Sequence, residues 1–389
     1  MRALDGITVV ALEHAIAAPY CTRQLADLGA RVIKIERPKV GDFARHYDDR
    51  VRGLSSYFVW ANRSKESFTL DLKHADAPKI LASLIERADV LVQNLAPGAT
   101  RRLGLDYATL AKSHPKLIVC DISGYGETGP YAQRKAYDLL VQSESGFVSV
   151  NGTPEQPAKA GPPVADISAA TAATTNILAA LIERGRTARG KRIEIAMLDS
   201  MVEWMGYPLY YAFDGASPPP RTGASHATIY PYGAFAVGNG ESVMLGIQNE
   251  REWGKFCKDV LGQPGLATHE RFDTNAKRST HRAELDRVIT PIFAKLSAAQ
   301  VRERLDAAGI ANAQVNDMQG VWQHPQLAAR SRWSEVDTEI GKVPALVPPG
   351  SDEARMDAVP RIGQHTESIL AELGYDTAAI AKLRSAGAI

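Results

Sequence analysis

The strongest constraint on the fold lies in the first third of the chain, where short apolar runs alternate with segments of helical spacing. Ile7–Leu12 reads as a strand, Tyr20–Leu28 as a helix closing at Gly29, and Arg31–Ile35 as a second strand. Further strand patterns at Phe68–Leu72, Asp89–Gln93 and Leu117–Ile122 are separated by helical patterns at Ala75–Ala88 and Tyr107–His114. Apolar strands divided by amphipathic helices predict a parallel sheet covered on both faces. The expected fold class is therefore α/β, a large doubly wound parallel-sheet domain with sites at the carboxyl ends of its strands.

Beyond that third, the sequence predicts a long Ala-rich helix over Ser168–Glu183, a strand over Arg192–Met197 and an aromatic-rich helix over Asp199–Phe213. The Pro/Gly/Ser stretch Ser217–Gly223 predicts a domain boundary. After it, alternating apolar residues in Tyr232–Gly246 flank Gly238-Asn239-Gly240 and predict a hairpin. Helical patterns follow at Glu250–Leu261, Arg282–Leu296 and Thr366–Leu373.

At 389 residues the chain has room for two or three domains. With 45 Lys and Arg against 44 Asp and Glu, the net charge of +1 gives no basic field for nucleic acid, so any anion site must be built locally. The three cysteines are widely separated, with no CxxC, which disfavours structural zinc and a disulfide framework. Asp5, Glu13 and His14 interrupt the apolar N-terminus, so it does not read as a signal peptide. The apolar run Ala169–Ile182 carries Thr171, Thr174, Thr175 and Asn176 and reads as too short to span a bilayer. A cytoplasmic protein with no membrane or nucleic-acid partner is expected.

Gly124-Tyr-Gly126-Glu-Thr-Gly129 fits GxGxxG, but Pro130 follows at once and no helix opens at the third glycine. The run reads as a turn loop, and neither NAD nor FAD is expected. HExxH, GxSxG and Walker A patterns are absent from the sequence and the histidines are scattered, so no metal is expected. Asp166 sits at the start of the long helix and has two readings, an N-cap or a nucleophile. In the second, the positive helix end would lower its pKa and the neighbouring amides would hold an oxyanion. Arg37, Lys73, Arg101, Arg102 and Lys135 follow strands, as a ligand carrying several phosphates would need.

Taken in order, these pieces resemble the class III coenzyme A transferases, the family of formyl-CoA transferase and carnitine CoA-transferase. The resemblance rests on Leu4–Ile7, Ala18-Pro19, Leu28–Arg37, Asn62–Lys65, Leu70–Lys73, Asn94–Gly98, Ser123–Gly126, Gly129-Pro130, Tyr137-Asp138, Ser145-Gly146 and Gly363–Leu370. It implies that Asp166 is the catalytic nucleophile, passing CoA through mixed-anhydride and aspartyl-CoA thioester intermediates. It implies CoA contacts from Arg37, Lys73, Arg102 and Lys135 to phosphates or adenine, and from Leu70, Asn94, Ala96 and Leu103 along the adenine and pantetheine path. Ala15 and Ile16 would lie near the thioester, and Asp138 joins the cofactor-binding set. Oxalate-using members carry Gln where Ile16 stands, which argues against oxalate.

The resemblance also implies an interlocked homodimer. Its large domain would begin over 1–216 and be completed by 331–389, with a smaller α+β domain over 224–330 between them. The segments Ile229–Gly233 and Leu245–Trp253 look most like members handling small branched dicarboxylates: itaconate, mesaconate or citramalate, with succinyl-CoA as donor. Arg45, His46 and Arg251 are candidates for clamping a second carboxylate. α-Methylacyl-CoA racemases of the same family place a His where Tyr137 stands, and a phenol is a poor base at neutral pH. A racemase, or a catalytically silent acyl-CoA-binding protein, is the alternative.

Overall fold

The computed structural model describes residues 1–350 and 353–389. It contains two compact units, one of residues 1–147, 160–206 and 326–389, the other of residues 148–159 and 207–325. In the first, six parallel strands form one sheet: β1 (Thr8–Leu12), β2 (Arg31–Glu36), β3 (Lys65–Thr69), β4 (Val90–Gln93), β5 (Ile118–Ser123) and β6 (Arg192–Ala196). Their order is β3-β2-β1-β4-β5-β6. The chain thus winds outward from β1 in one direction, then returns and winds outward from β4 in the other. The crevice outside the carboxyl ends of β1 and β4 is the topological switch point, where open α/β sheets place ligands.

The period-two alternation of the strands builds two cores. Val9, Ala11, Val32, Val90, Val92, Ile118 and Cys120 face helices α1 (Ala17–Asp27), α4 (Val164–Thr187) and α5 (Met197–Trp204). Val10, Leu12, Ile33, Ile35, Leu91 and Val119 face the opposite layer, which includes α2 (Ala77–Glu86) and the helices Thr366–Glu372 and Thr377–Ser385. Between α2 and α4 in the chain lies α3 (Asp138–Glu144).

Several expected boundaries move. Strand β3 begins at Lys65, three residues before the expected Phe68, because it carries Lys65 and Ser67 inward where an apolar pattern has no signal. Helix α4 begins at Val164, so Asp166 stands inside its first turn. At 24 residues α4 is long and apolar enough to cross a bilayer, which corrects the expected short length. Its buried residues, among them Ala165, Ala169, Ala173 and Ile177, pack in the core it shares with α1 and α5. The expected helix Asp199–Phe213 is two helices that divide at Met205. Gly126 and Gly129 take positive φ (83° and 82°), and the next helix opens only at Asp138, so the GxGxxG run is a turn loop.

In the second unit, β7 (Tyr232–Ala236) and β8 (Ser242–Gly246) form the expected antiparallel hairpin, and β9 (Ala311–Gln314) adds to its edge. Phe235, Val243 and Leu245 pack with Trp253, Phe256, Ile289 and Phe293 in a core of their own.

Candidate active site

At the switch point the two crevice loops are tied together. The His14 amide donates to Asn94 Oδ1 (3.0 Å), and Asn94 Nδ2 donates back to the His14 carbonyl (2.9 Å). The next residue, Ala15, is held at φ 60°, a left-handed conformation that costs energy for a residue with a Cβ. Asp42 Oδ1 braces it by accepting from the Ala15 amide (3.2 Å). Helix α1 starts directly afterwards with no side-chain cap.

Under this loop lies a buried charge cluster. Glu13 accepts from Lys65 Nζ (2.7 Å), Thr22 Oγ1 (2.6 Å) and, more loosely, Lys34 Nζ (3.4 Å); Lys34 also pairs with Asp42 at 2.8 Å. Burial pulls the Lys65 ammonium down to about 8 against the pull of Glu13.

Asp166 is half-buried, and among the described residues its carboxylate accepts no hydrogen bond and pairs with no cation. Burial first, and the Asp138 carboxylate second, push it up to about 7. This reverses the lowering expected from the helix end. The first-turn amides are also occupied: Val164 donates to the Pro162 carbonyl (2.9 Å), while Ala165 (2.8 Å) and Asp166 (3.4 Å) donate to Asp138 Oδ1. They do not stand open for an oxyanion. Asp166 is no N-cap either, since Pro163 occupies that position.

Arg37, Lys73, Arg102 and Lys135 follow the carboxyl ends of β2, β3, β4 and β5, and all four are exposed. Among the described residues, none of the four side chains donates a hydrogen bond or joins an ion pair. Ala15, Asn94 and Leu103 are half-buried and Ala96 is exposed, whereas Ile16 is 3% and Leu70 0% exposed. Ile16 and Leu70 therefore have only backbone to offer a ligand. Both Asp138 carboxylate oxygens are committed, Oδ1 to the α4 amides and Oδ2 to Gln142 Nε2 (2.6 Å).

Arg45 is not free to clamp a substrate carboxylate. Its guanidinium is bidentate on Glu36 (2.9 and 2.8 Å), donates to the Pro360 carbonyl and stacks 3.7 Å from the Phe58 ring centroid. Arg45→Ala is expected to lower stability by about 3 kcal/mol, the cost of stranding a buried carboxylate, and to leave discrimination between succinate and butyrate unchanged. Denaturant unfolding and paired acceptor assays check the two halves. His46 is exposed, with Nε2 3.3 Å from the Val40 carbonyl, and Arg251 is exposed in the second unit.

Two groups escaped the sequence reading. Burial keeps the His14 imidazole below its usual pKa, beside the Phe43 ring at 4.9 Å; its signal was its place one residue beyond Glu13 at the end of β1. The Tyr47 phenol is raised to about 12, chiefly by burial and then by Asp42 and Asp166, which sets it in the neighbourhood of the nucleophile candidate. No spacing in the sequence announces it.

Residues 4–366 match the family model described as CoA-transferase family III. The chain is 32% identical to the succinate–glutarate CoA-transferase of Agrobacterium fabrum, over 95% of each chain. It is likewise 32% identical to the succinyl-CoA:mesaconate CoA-transferase of Haloarcula marismortui, over 97% of this chain and 98% of that one. The crystal structure of a CaiB/BaiF family protein from Brucella suis superposes with a TM-score of 0.84 at 32% identity, covering 96% of this chain and 99% of the other.

Proposed function

The chain belongs to CoA-transferase family III, enzymes that use acyl-CoA as a substrate, and from that membership we propose that it moves CoA from succinyl-CoA to a five-carbon dicarboxylate. Itaconate, mesaconate and citramalate remain the branched acceptors of choice, and the Agrobacterium relative adds straight-chain glutarate. The observation that carries the assignment of Asp166 is its carboxylate, desolvated and, among the described residues, without a partner at the head of α4.

An Asp166 oxygen attacks the thioester carbonyl of the donor, the C–S bond breaks, and CoA leaves as the thiolate. The thiolate then attacks the Asp166 carbonyl of the mixed anhydride, releasing succinate and leaving an aspartyl-CoA thioester. The acceptor carboxylate attacks that thioester, expelling the thiolate. The thiolate finally attacks the acceptor's acyl carbon, which frees the new acyl-CoA and restores the Asp166 carboxylate. Each intermediate stays about as activated as the one before it. Arg37, Lys73, Arg102 and Lys135 would meet the CoA phosphates, for which unpaired cations at the strand ends are suited. Asn94, Ala96, Leu103 and the backbones of Leu70, Ala15 and Ile16 would line the path to the thioester.

An interlocked homodimer belongs to this reading. The exposed Trp204, Tyr207, Tyr210 and Phe213 supply apolar surface for a second copy to cover, and light scattering at the monomer mass would overturn it.

The test is mass-spectrometric CoA exchange from succinyl-CoA to glutarate, itaconate, mesaconate, citramalate, oxalate, carnitine and butyrate. Exchange to a five-carbon dicarboxylate well above butyrate is expected. Preference for a monocarboxylate would remove the acceptor class, and solvent proton exchange at an acyl-CoA α-carbon without CoA transfer would turn the reading to a racemase.

A further inference from the structure

Helix α4 cannot cap itself, because Pro163 at its N-cap has no side-chain acceptor. Its first turn is held instead from α3. Asp138 Oδ1 accepts from the Ala165 amide (2.8 Å) and, at 3.4 Å, from the Asp166 amide. Asp138 Oδ2 accepts from Gln142 Nε2 (2.6 Å), and Gln142 Oε1 accepts from the Ala160 amide (2.9 Å). Gln142 is fully buried. One continuous chain of bonds therefore fixes both the turn that leads into α4 and the rotation of the turn that carries Asp166.

We propose that Asp138 is a positioning residue of the transfer reaction, which sets the attack direction of Asp166 and holds a second negative charge beside it. This rests on the assignment of Asp166 as nucleophile. Asp138 spends Oδ1 on two α4 amides and Oδ2 on Gln142, so the contacts it makes run to the helix and to α3. A neutral cap would hold the turn equally well. The carboxylate does more, because a like charge at short range keeps Asp166 basic and hence a stronger nucleophile. The Tyr47 phenol lies close enough to feel the Asp166 charge and supplies no compensating cation, and the Tyr137 phenol precedes Asp138 in the chain.

Three variants test this in the full-length protein. In Asp138→Asn the amide oxygen still takes the α4 amides, and the acid limb of kcat/KM is expected to move down by about one pH unit. Asp138→Asn combined with Gln142→Glu restores an acceptor opposite the new amide, and should recover the melting temperature while keeping the limb below its original position. In Asp138→Ala the cap is lost, and kcat should fall about 10- to 100-fold at every pH with KM for succinyl-CoA unchanged. A limb that stays near pH 7 in Asp138→Asn, or a rise in KM with kcat intact in Asp138→Ala, overturns the proposal.

A parallel arm needs no turnover. The gain in melting temperature from Asp166→Asn should be larger at pH 8 than at pH 5.5, and that excess should shrink when Asp138 is already Asn. An undiminished excess overturns the coupling even if no acceptor is ever found, and a diminished one supports it even then.

Discussion

Asp166→Asn is expected to reduce CoA exchange on the order of a thousand-fold or more, and to make the folded protein more stable above neutral pH. The first effect follows from the proposed mechanism, in which the Asp166 carboxylate forms the covalent intermediates. The second follows from the environment that prepares that atom. In the unfolded chain the carboxyl releases its proton near 3.8, whereas in the folded chain it holds the proton up to about 7. Between those values the native state binds more protons than the unfolded state, so stability falls as pH climbs and the full penalty is reached above 7. A three-unit shift has a ceiling of about 4 kcal/mol, and water reaching the half-buried group reduces this to roughly 2 kcal/mol. Denaturant unfolding at pH 4 and pH 8 measures it: near-equal stabilities at pH 4, with the Asn variant ahead at pH 8. In the unsubstituted enzyme kcat/KM should rise with pH and level above about 7, because in the proposed mechanism only the ionised carboxylate attacks. A variant that is less stable at pH 8 would mean that Asp166 is satisfied where it sits, and no longer a group held ready to react.

The alternation of apolar strands and helices was legible because both faces of the sheet are buried, so hydrophobic pattern and fold carry the same information. Lys65 and Ser67 broke that equivalence in β3, where polar side chains point inward to partners 52 and 31 residues away in sequence: Lys65 on Glu13, Ser67 on Glu36. No local pattern encodes such a pair. Its members meet only because β1, β2 and β3 lie side by side, an order that strand signals do not specify. The same limit governs the cations. Arg37 and Arg45 look alike in sequence, yet one is exposed and unpaired while the other is locked on Glu36. For Asp166 the expected direction of ionisation is reversed: the carboxyl is raised to about 7 rather than lowered. A helix start promises a lowered pKa only while its amides remain free, and Asp138 had taken them.

The buried cluster behind β1 makes the second large effect. Glu13→Ala is expected to cost about 3–5 kcal/mol, a sizeable part of the 5–15 kcal/mol that holds a typical domain together. The lost bonds are the smaller share of this. The larger share is the Lys65 ammonium, which would keep the Pro19 carbonyl (2.9 Å) and Asn62 Oδ1 (2.9 Å) but lose its counter-charge in a site no water reaches. It follows that removing the second charge should help. Glu13→Ala combined with Lys65→Met is expected to be more stable than Glu13→Ala alone, since an apolar side chain carries no desolvation penalty there. Unfolding free energies of the wild type, both single variants and the double variant give the coupling directly. Lys34, still paired with Asp42 at 2.8 Å, keeps the bracing of Ala15 in the double variant, so the crevice loop should survive even though the cluster is halved. A loss below about 1 kcal/mol for Glu13→Ala would place the cluster in the class of surface pairs. The left-handed turn at Ala15 would then need support from Asp42 and Asn94 alone.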